Sequence, residues 1–421
     1  MRLLLTSALL AASPAALSAQ GLAPQNLSGA LTDARAHSPA LAAAEAEADA
    51  AEARVDQARS AGGPSVRVEA SIGAGRIDLG GFFGLSADDV TPRVAQLVGE
   101  YPLYSGGRVG AAVAQARGGA AAAQAGQMAA ESQLTVDVVT SYAEVLTARR
   151  LVESYTQLEA SLSEVVRQAG LRFRVGDAAS TDVAQARARL AEGVAGRVGA
   201  EGRLAGAEAR LARLTGKPVA ELAPLGTLPE TPTTLADAIE RALSHNPMLA
   251  QAEAVVSAAE AGRRAARASR LPSVGAFAEA VTVRDQFFPG YRADSVAVGV
   301  RGRWTIIDGG AGSARSREAA AALTAAQARE TGASDAITQY AIEAWAGFAT
   351  AGRMVEAARE GSAAADEALR GTRLEVQVGA KPMLAQLDAL REAIAATARL
   401  AEAEGMQAVA AYRLRAICGM E

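Results

Sequence analysis

Few residues in this chain of 421 could bind or transform a ligand, and a glycine-rich segment is the first candidate. Residues 308–313 read DGGAGS, which imitates a loop that cradles a dinucleotide. Glu330 lies near the spacing of an acid that binds ribose. Such a loop connects a strand to a helix inside a parallel βαβ unit, and the sequence pattern around it predicts no such unit. The glycines therefore indicate a tight strand-to-helix junction without a nucleotide.

The remaining reactive side chains do not form a catalytic or metal-binding pattern. His37 and His245 are the two histidines, and they stand at equivalent places just before Pro39 and Pro247. We interpret them as helix-entry residues. Cys418 is the single cysteine, so no internal disulfide is expected. The sequence contains neither a nucleophile elbow nor a zinc-binding HExxH helix, and we predict no enzyme activity and no cofactor.

The composition favours long, closely packed helices over compact globular domains. Hydrophobic residues make up 50% of the chain and aromatic residues only 4%, and alanine dominates the apolar share. Alanine is the best helix former, and its small side chain lets helices approach closely. The net charge of −4 supplies no basic surface, so nucleic acid is not an expected partner.

The first residues have the pattern of an export signal. Residues 1–19 combine a basic start at Arg2, an apolar run over residues 3–10 and small residues at the end, which predicts a secretory signal peptide. No later stretch reaches the roughly 20 apolar residues of a transmembrane helix. Export without such a helix leaves the periplasm, the exterior or the outer membrane.

The second half of the chain repeats the first. We expect the first repeat over residues 20–216, a Pro-rich linker over 217–234 and the second repeat over 235–421. The paired segments are 36–42 (AHSPALA) with 244–250 (SHNPMLA), 64–66 (PSV) with 272–274 (PSV), and the glycine pairs at 106–107 and 309–310.

Each repeat predicts a first helix, two strands and a long helical hairpin. The expected helices are about 27–60, 107–175 and, after a tip over 175–182, a helix to about 214 in the first repeat, and 235–270, 310–378 and 383–417 in the second. Each hairpin turns at a glycine, Gly176 or Gly379, where a helix end favours a left-handed residue. Apolar residues at steps of three and four predict a coiled-coil-like seam. They are Leu151, Tyr155, Leu158, Leu162, Val165, Leu190, Val194 and Val198.

The strands predict a membrane barrel shared between chains. Val66 and Val68 in the first strand, and Val296 and Val298 in the fourth, alternate with polar or small residues, as in outer-membrane barrel strands. Tyr101 and Trp304 fall at strand ends and are candidate membrane-interface aromatics. Four strands are too few for a barrel of about eight or more, and an open sheet would leave unpaired edges in lipid. The sequence therefore predicts an oligomer.

Together these segments resemble the TolC-like outer membrane efflux proteins along nearly the whole mature chain. The shared features are Ser38-Pro39 and Asn246-Pro247 at the entry helices, PLYSGGR at 102–108, Val-Gly at both tips and TDV at 181–183. The resemblance implies a mainly α-helical fold with a small β part. Three chains would form a 12-stranded barrel in the outer membrane of a Gram-negative bacterium, and their hairpins would form an α-barrel in the periplasm.

The resemblance also implies roles for residues near the tips. The tip residues implied to contact a periplasmic adaptor are Val175, Gly176, Val378 and Gly379. Asp388 matches a carboxylate of the entrance constriction, whereas Ala385 stands where some relatives have a second Asp. Asp182 and Lys381 match a closed-state latch between neighbouring hairpins, and Val376 replaces the tyrosine of that latch.

The expected function is that of a passive exit duct, a homotrimeric channel of a tripartite efflux pump or a type I secretion system. Its partners would be outer-membrane lipid, a periplasmic adaptor (membrane fusion) protein and, through the adaptor, an inner-membrane transporter that is either ABC-type or proton-driven. The alternative from another class is a periplasmic helical-hairpin adaptor or structural spacer without a pore.

Overall fold

The computed structural model of the chain describes residues 24–78, 80 and 87–420. The predicted signal peptide lies outside these residues. The helices are α1 (Leu27–His37), α2 (Pro39–Ser60), α3 (Arg108–Arg174), α4 (Ser180–Thr215), α5 (Leu235–His245), α6 (Pro247–Ala268), α7 (Ala311–Gln377) and α8 (Met383–Ile417). The strands are β1 (Ser65–Ile72), β2 (Gly75–Ile77), β3 (Asp88–Val90), β4 (Arg93–Tyr104), β5 (Ser273–Arg284) and β6 (Arg292–Arg303).

These elements belong to two compact units. The hairpin unit comprises the residues up to His37, Val138–Leu228 and Ala357–Ala408. The sheet unit comprises Ser38–Asp137, Pro229–Glu356 and the residues from Val409 onward. Helices α3, α7 and α8 contribute residues to both units.

The first helix of each repeat is broken at the proline, whereas the sequence analysis predicted one continuous helix. Ser38 and Asn246 have extended backbone angles (ψ 111° and 125°) because a proline disfavours helical geometry in the residue before it. Each side chain then caps the second helix: Ser38 Oγ accepts from Leu41 N at 3.2 Å, and Asn246 Oδ1 accepts from Met248 N at 2.9 Å. In both repeats the chain therefore forms a capped junction between two helices at this point.

Small residues, rather than large ones, form much of the seam in the hairpin unit. On α3, Leu158, Leu162 and Val165 are buried as predicted. On α4, Val198 is 55% exposed, so its predicted place in the seam is wrong. Four small residues of α4 are buried at steps of seven: Ala186, Gly193, Ala200 and Ala207. An Ala- and Gly-lined face lets two helices approach closely, and a strict seven-residue repeat is the coiled-coil period.

The sheet unit contains one four-stranded antiparallel sheet in the order β1-β4-β5-β6. Strands β4, β5 and β6 each have 12 residues, which is long enough to cross a bilayer at a tilt. The short pair β2-β3 extends the first hairpin beyond this sheet and was not predicted.

Among the helices of this unit, α3 packs closely on α6. A Cβ added at Gly118 of α3 would lie only 2.8 Å from Ala258 Cα of α6.

Candidate functional site: an apolar sheet face and two hairpin tips

One face of the four-stranded sheet is apolar and exposed in the single chain. The register pairs Val68 with Leu97, Leu97 with Ala280, and Ala280 with Val296, so these four side chains point to the same side. Val68 is 72% exposed and Val296 is 81% exposed. One adjacent row continues the pattern with Val66, Gly99, Ala278 and Val298, whereas the other has Ala70 and Ala95 followed by the polar Thr282 and Asp294. This confirms the alternation predicted from the sequence.

The opposite face carries charged and polar side chains set among apolar ones, which include four valines of β4 and β5. Glu279 accepts a hydrogen bond from Gln96 Nε2 at 2.9 Å and lies 3.9 Å from Arg301 Nη2. Arg301 also lies 3.7 Å from Glu100, and its guanidinium sits 4.4 Å from the centre of the Phe277 ring. Polar residues on one face and apolar residues on the other are what a water-filled barrel in a membrane requires.

The sheet is open at both sides. Strand β1 pairs with β4 and strand β6 pairs with β5, so each edge strand has one neighbour within the described part of the chain. Because adjacent strands alternate in direction, β1 and β6 run antiparallel to each other. An edge β6 can therefore continue the ladder by pairing antiparallel with the β1 of another copy.

The two predicted interface aromatics lie near the helix-side end of the sheet. Tyr101 belongs to β4, three positions before that strand ends, and is 48% exposed. Trp304 follows the last residue of β6, is 62% exposed, and its Nε1 donates to the carbonyl of Arg270 at 3.2 Å. Each has a polar atom and an apolar ring, which suits a membrane–water boundary.

The glycine-rich segment that imitated a nucleotide loop is closed by its own carboxylate. Asp308 accepts from Gly310 N at 3.0 Å and from Gly312 N at 2.5 Å. The pKa of Asp308 lies below its usual range, chiefly because its carboxylate accepts the hydrogen bond from Gly312 N. The backbone amides that a phosphate would need are thus engaged by the chain itself, which supports the interpretation of a structural junction.

In the hairpin unit, the two tips have the same backbone geometry. Gly176 (φ 84°) donates to Phe173 O at 3.1 Å, and Asp177 N donates to Arg172 O at 2.9 Å. In the second tip, Gly379 (φ 76°) donates to Val376 O at 3.1 Å, as Ala380 N does to Glu375 O at 2.8 Å. Both are Schellman caps, which need a left-handed residue and so favour glycine. The valine before each glycine is exposed, Val175 by 79% and Val378 by 80%.

The two latch candidates have partners inside their own hairpins. Lys381 Nζ lies 2.7 Å from Glu375 Oε2, across the turn of the second tip. Asp182 Oδ2 accepts from Ala179 N at 3.3 Å and so caps the start of α4. Sequence reasoning missed Glu375, although its place six residues before Lys381, across a glycine turn, was a usable signal.

The constriction candidate Asp388 also has a partner. Its Oδ1 lies 3.9 Å from Nη2 of Arg189 on α4, and Arg189 lies 3.1 Å from Glu192. The neighbouring Leu387 and Leu390 are buried in the core that α4 and α8 share with α3 and α7. Sequence reasoning missed Arg189 because the pair joins two helices from different repeats.

Within the described residues, no helix combines the length and the apolar character that crossing a bilayer requires. Over the same ranges, His, Cys, Asp and Glu side chains form no group that could hold a metal ion.

Both repeats of the chain match the model of one known protein family. The profile described as "Outer membrane efflux protein" matches residues 30–217 and again 238–420. The outer membrane efflux protein BepC of Brucella suis biovar 1 is 29% identical over 287 residues, a match that covers 68% of this chain and 62% of that protein.

Solved structures with the same architecture establish the fold. The Campylobacter jejuni CmeC outer membrane channel superposes with a TM-score of 0.82 at 16% identity, over 93% of this chain and 85% of that one. The outer membrane protein VceC of Vibrio cholerae gives a TM-score of 0.77 at 20% identity, over 94% of this chain and 97% of that one. Both matches extend over both repeats.

Proposed function

This chain belongs to the outer membrane efflux protein family, and we propose that three copies of it form one channel through the outer membrane of a Gram-negative bacterium. The helices extend from the membrane into the periplasm. Each copy contributes the four strands β1, β4, β5 and β6 to a closed barrel of 12 strands, three times the four of one sheet. The number three rests on the resemblance to the family.

The observation that carries this proposal is the four-stranded sheet with an exposed apolar face and two open edges. In a bilayer an unpaired backbone group costs several kcal/mol, so an open edge in lipid is excluded. Pairing β6 of one copy with β1 of the next removes every edge and keeps all neighbours antiparallel. The apolar face then meets lipid, and the face with Glu100, Glu279 and Arg301 lines the interior.

We infer that the channel is the passive exit duct of a tripartite efflux pump or a type I secretion system. An inner-membrane transporter, ABC-type or proton-driven, would supply the energy and act through a periplasmic adaptor. The rival function, a periplasmic adaptor or spacer without a pore, would leave valines such as Val296 and Val298 in water. Contiguous apolar patches above a few hundred Å² are rare on soluble monomers, which favours the membrane channel.

The adaptor contact is proposed at the two tips. Val175 and Val378 are apolar, about four-fifths exposed, and each stands on a rigid cap beside Gly176 or Gly379. Such side chains could insert into a partner surface without reordering the turn. Glutamate at both valine positions should abolish co-purification of the adaptor while the trimer persists. Undiminished adaptor binding would contradict this contact.

Closure of the entrance is proposed to depend on Asp182 and Lys381, with Asp388 as the charged constriction. In a trimer these groups form rings of three, so a weak local interaction acts three times on one opening. The intrachain partners Glu375 and Arg189 compete with any contact between neighbouring copies. When a contact between copies breaks, Lys381 and Asp388 would therefore still have a partner in their own chain.

The proposed function is tested by the state and conductance of the purified protein. Full-length chain expressed with its export signal should fractionate with the outer membrane, show the mass of three copies in native mass spectrometry, and conduct ions in a planar bilayer. A soluble monomer without conductance would overturn the proposal and favour the spacer.

A further inference from the structure

The loop-side end of the apolar face carries three arginines in one row. Arg93 of β4 pairs with Arg284 of β5, and Arg284 pairs with Arg292 of β6. Each lies four residues from Leu97, Ala280 or Val296 along its own strand, an even spacing that places all three on the apolar side. We call Arg93, Arg284 and Arg292 the arginine row.

The charges of this row are only partly compensated. Arg284 pairs with both carboxylate oxygens of Asp294, at 2.8 Å and 3.1 Å, and Thr282 Oγ1 donates to the same carboxylate at 2.6 Å. Arg93 and Arg292 are exposed, and neither lies within ion-pair distance of a carboxylate among the described residues, although the Asp294 carboxylate also attracts Arg292. Like charges directly opposite each other destabilise a sheet. The row thus favours an external anion.

The position of the row along the strands fits a membrane boundary. Tyr101 lies eight positions after Arg93 on β4, which is about 27 Å along a strand and about 20 Å across the membrane at the usual tilt. That height is close to the apolar band of about 25 Å in outer-membrane barrels. An arginine is costly at the middle of such a band and tolerated at its border. The arginine row therefore marks the border on the loop side.

Aromatic side chains beyond the row support this placement. The turn between β5 and β6 contains Phe287, Phe288 and Tyr291, and both phenylalanine rings meet the tyrosine ring edge-on, at 5.0 Å and 5.4 Å. Interfacial aromatics are typical of the level where lipid headgroups begin. Since the opposite end of the sheet continues into helices, the loop side faces the outer leaflet if the helices are periplasmic.

We propose that the arginine row binds the phosphate groups of outer-leaflet glycolipid, an inference that rests on the proposed outer-membrane channel. A guanidinium offers two parallel N–H donors that match two phosphate oxygens. Arg93 and Arg292 flank Arg284 on neighbouring strands, so phosphates on one lipid can be held from both sides. Repeated around three copies, the row encircles the barrel with phosphate sites at one level.

The test compares lipid retention by the purified trimer. Native protein and the Arg93→Gln/Arg292→Gln variant are incubated with diphosphoryl lipid A or with the same lipid after dephosphorylation, and bound lipid is counted by native mass spectrometry. The native trimer should prefer the phosphorylated lipid by about tenfold or more, and the variant should lose that preference. The matched control is Arg67→Gln/Arg303→Gln, which removes two exposed arginines from the opposite face of the same sheet and should retain the preference.

Equal preference in the native protein and the Arg93→Gln/Arg292→Gln variant would overturn the phosphate proposal. If that variant does not assemble, the single variants Arg93→Gln and Arg292→Gln are compared instead; each should weaken the preference, and an unchanged preference in both also overturns the proposal. Conductance of the native trimer in bilayers separates the two proposals. A native trimer that conducts but ignores the lipid phosphate refutes the lipid site only, whereas a chain that forms no channel refutes the proposed function.

Discussion

Nη2 of Arg189 lies 3.9 Å from Oδ1 of Asp388, which joins α4 of the first repeat to α8 of the second within the hairpin unit. Asp388 is the residue implied to line the entrance, and its side chain is 60% exposed. A cation this close offsets part of the negative field that a ring of three carboxylates would produce. In the proposed channel, Asp388 and Arg189 together would therefore set the charge at the entrance.

Arg189→Gln should make the channel more cation-selective, and Asp388→Asn should make it less so. Removing either partner of an exposed pair changes the free energy of unfolding by only about 1 kcal/mol or less, so selectivity can be measured on folded protein. The measurement is the reversal potential of single channels in a salt gradient. Arg187→Gln is the matched control because it removes the same charge from the same helix. A shift as large for Arg187 as for Arg189 would contradict the pairing.

Weakening the proposed latch should raise the open probability of the isolated channel. Each exposed ion pair contributes about 1 kcal/mol or less, so three copies bias closure by no more than about a hundredfold. Asp182→Asn removes the charge but keeps an oxygen that can accept from Ala179 N, which preserves the helix cap. Lys381→Gln should act in the same direction.

The control for the latch is Glu375→Gln, which removes the intrachain partner of Lys381. This variant should favour closure, because Lys381 is then free to pair with the neighbouring copy. The measurement is the open probability of single channels in a planar bilayer. Unchanged open probability in both Asp182→Asn and Lys381→Gln would show that these residues do not hold the entrance.

Gly118→Ala should destabilise the sheet unit, although alanine normally favours a helix. Its Cβ would lie 2.7 Å from Ala258 N and 2.8 Å from Ala258 Cα, and this backbone cannot move without separating α3 from α6. We expect a loss of about 1–3 kcal/mol in the free energy of unfolding. Gly119→Ala, with open space at its Cβ, should instead be neutral or stabilising by up to about 1 kcal/mol. Thermal unfolding followed by circular dichroism compares the two, and equal effects would refute the close helix contact.

Cys418 should resist thiol reagents while the chain is folded. Its thiol is 1% exposed and donates to Ala238 O at 3.5 Å, and burial raises its pKa to about 11. A thiol with a pKa of about 11 has a thiolate fraction at pH 8 about a hundredfold or more below that of an unperturbed thiol. Because the folded state holds the proton more tightly than the unfolded state, this contribution to stability is present below about pH 9 and is lost as the pH rises to about 11.

The measurement is the rate of alkylation by a maleimide at pH 8, with urea-unfolded protein as the reference. The folded chain should react at least a hundredfold more slowly. Equal rates would mean that the packing of α5 against the end of α8, around Ala238 and Leu414, is not formed.

Local sequence signals predicted much of the fold. The glycines at 176 and 379 gave the hairpin turns because a Schellman cap needs a left-handed residue. The alternation around Val68 and Val296 gave the sheet face because strand side chains alternate with a period of two. The breaks at Ser38 and Asn246 were missed, although the proline that follows each residue disfavours a helix there.

The less predictable features depend on packing between distant segments. Val198 fits an apolar spacing on α4, yet the buried face of that helix passes through Ala186 and Gly193. Which face of a helix is buried depends on the rotation of the helix about its own axis. An Ala-rich helix has several faces that could pack equally well, so the sequence does not single one out. The partner of Asp388 was equally hidden, because α4 and α8 come together only in the folded hairpin unit.

The central claim, that β6 of one copy pairs with β1 of another, is tested most directly by disulfide trapping. Within one chain, Val68 and Val296 lie in the same row but three strands apart, about 14 Å, which is too far for a disulfide. In a Cys418→Ala background, Val68→Cys is combined in turn with cysteine at residues 294, 296, 298 and 300, and outer membranes are oxidised before non-reducing electrophoresis. At least one pair should give a ladder that ends at three covalently linked copies, and the single-cysteine variants should not. Monomer bands from every pair would contradict the shared barrel.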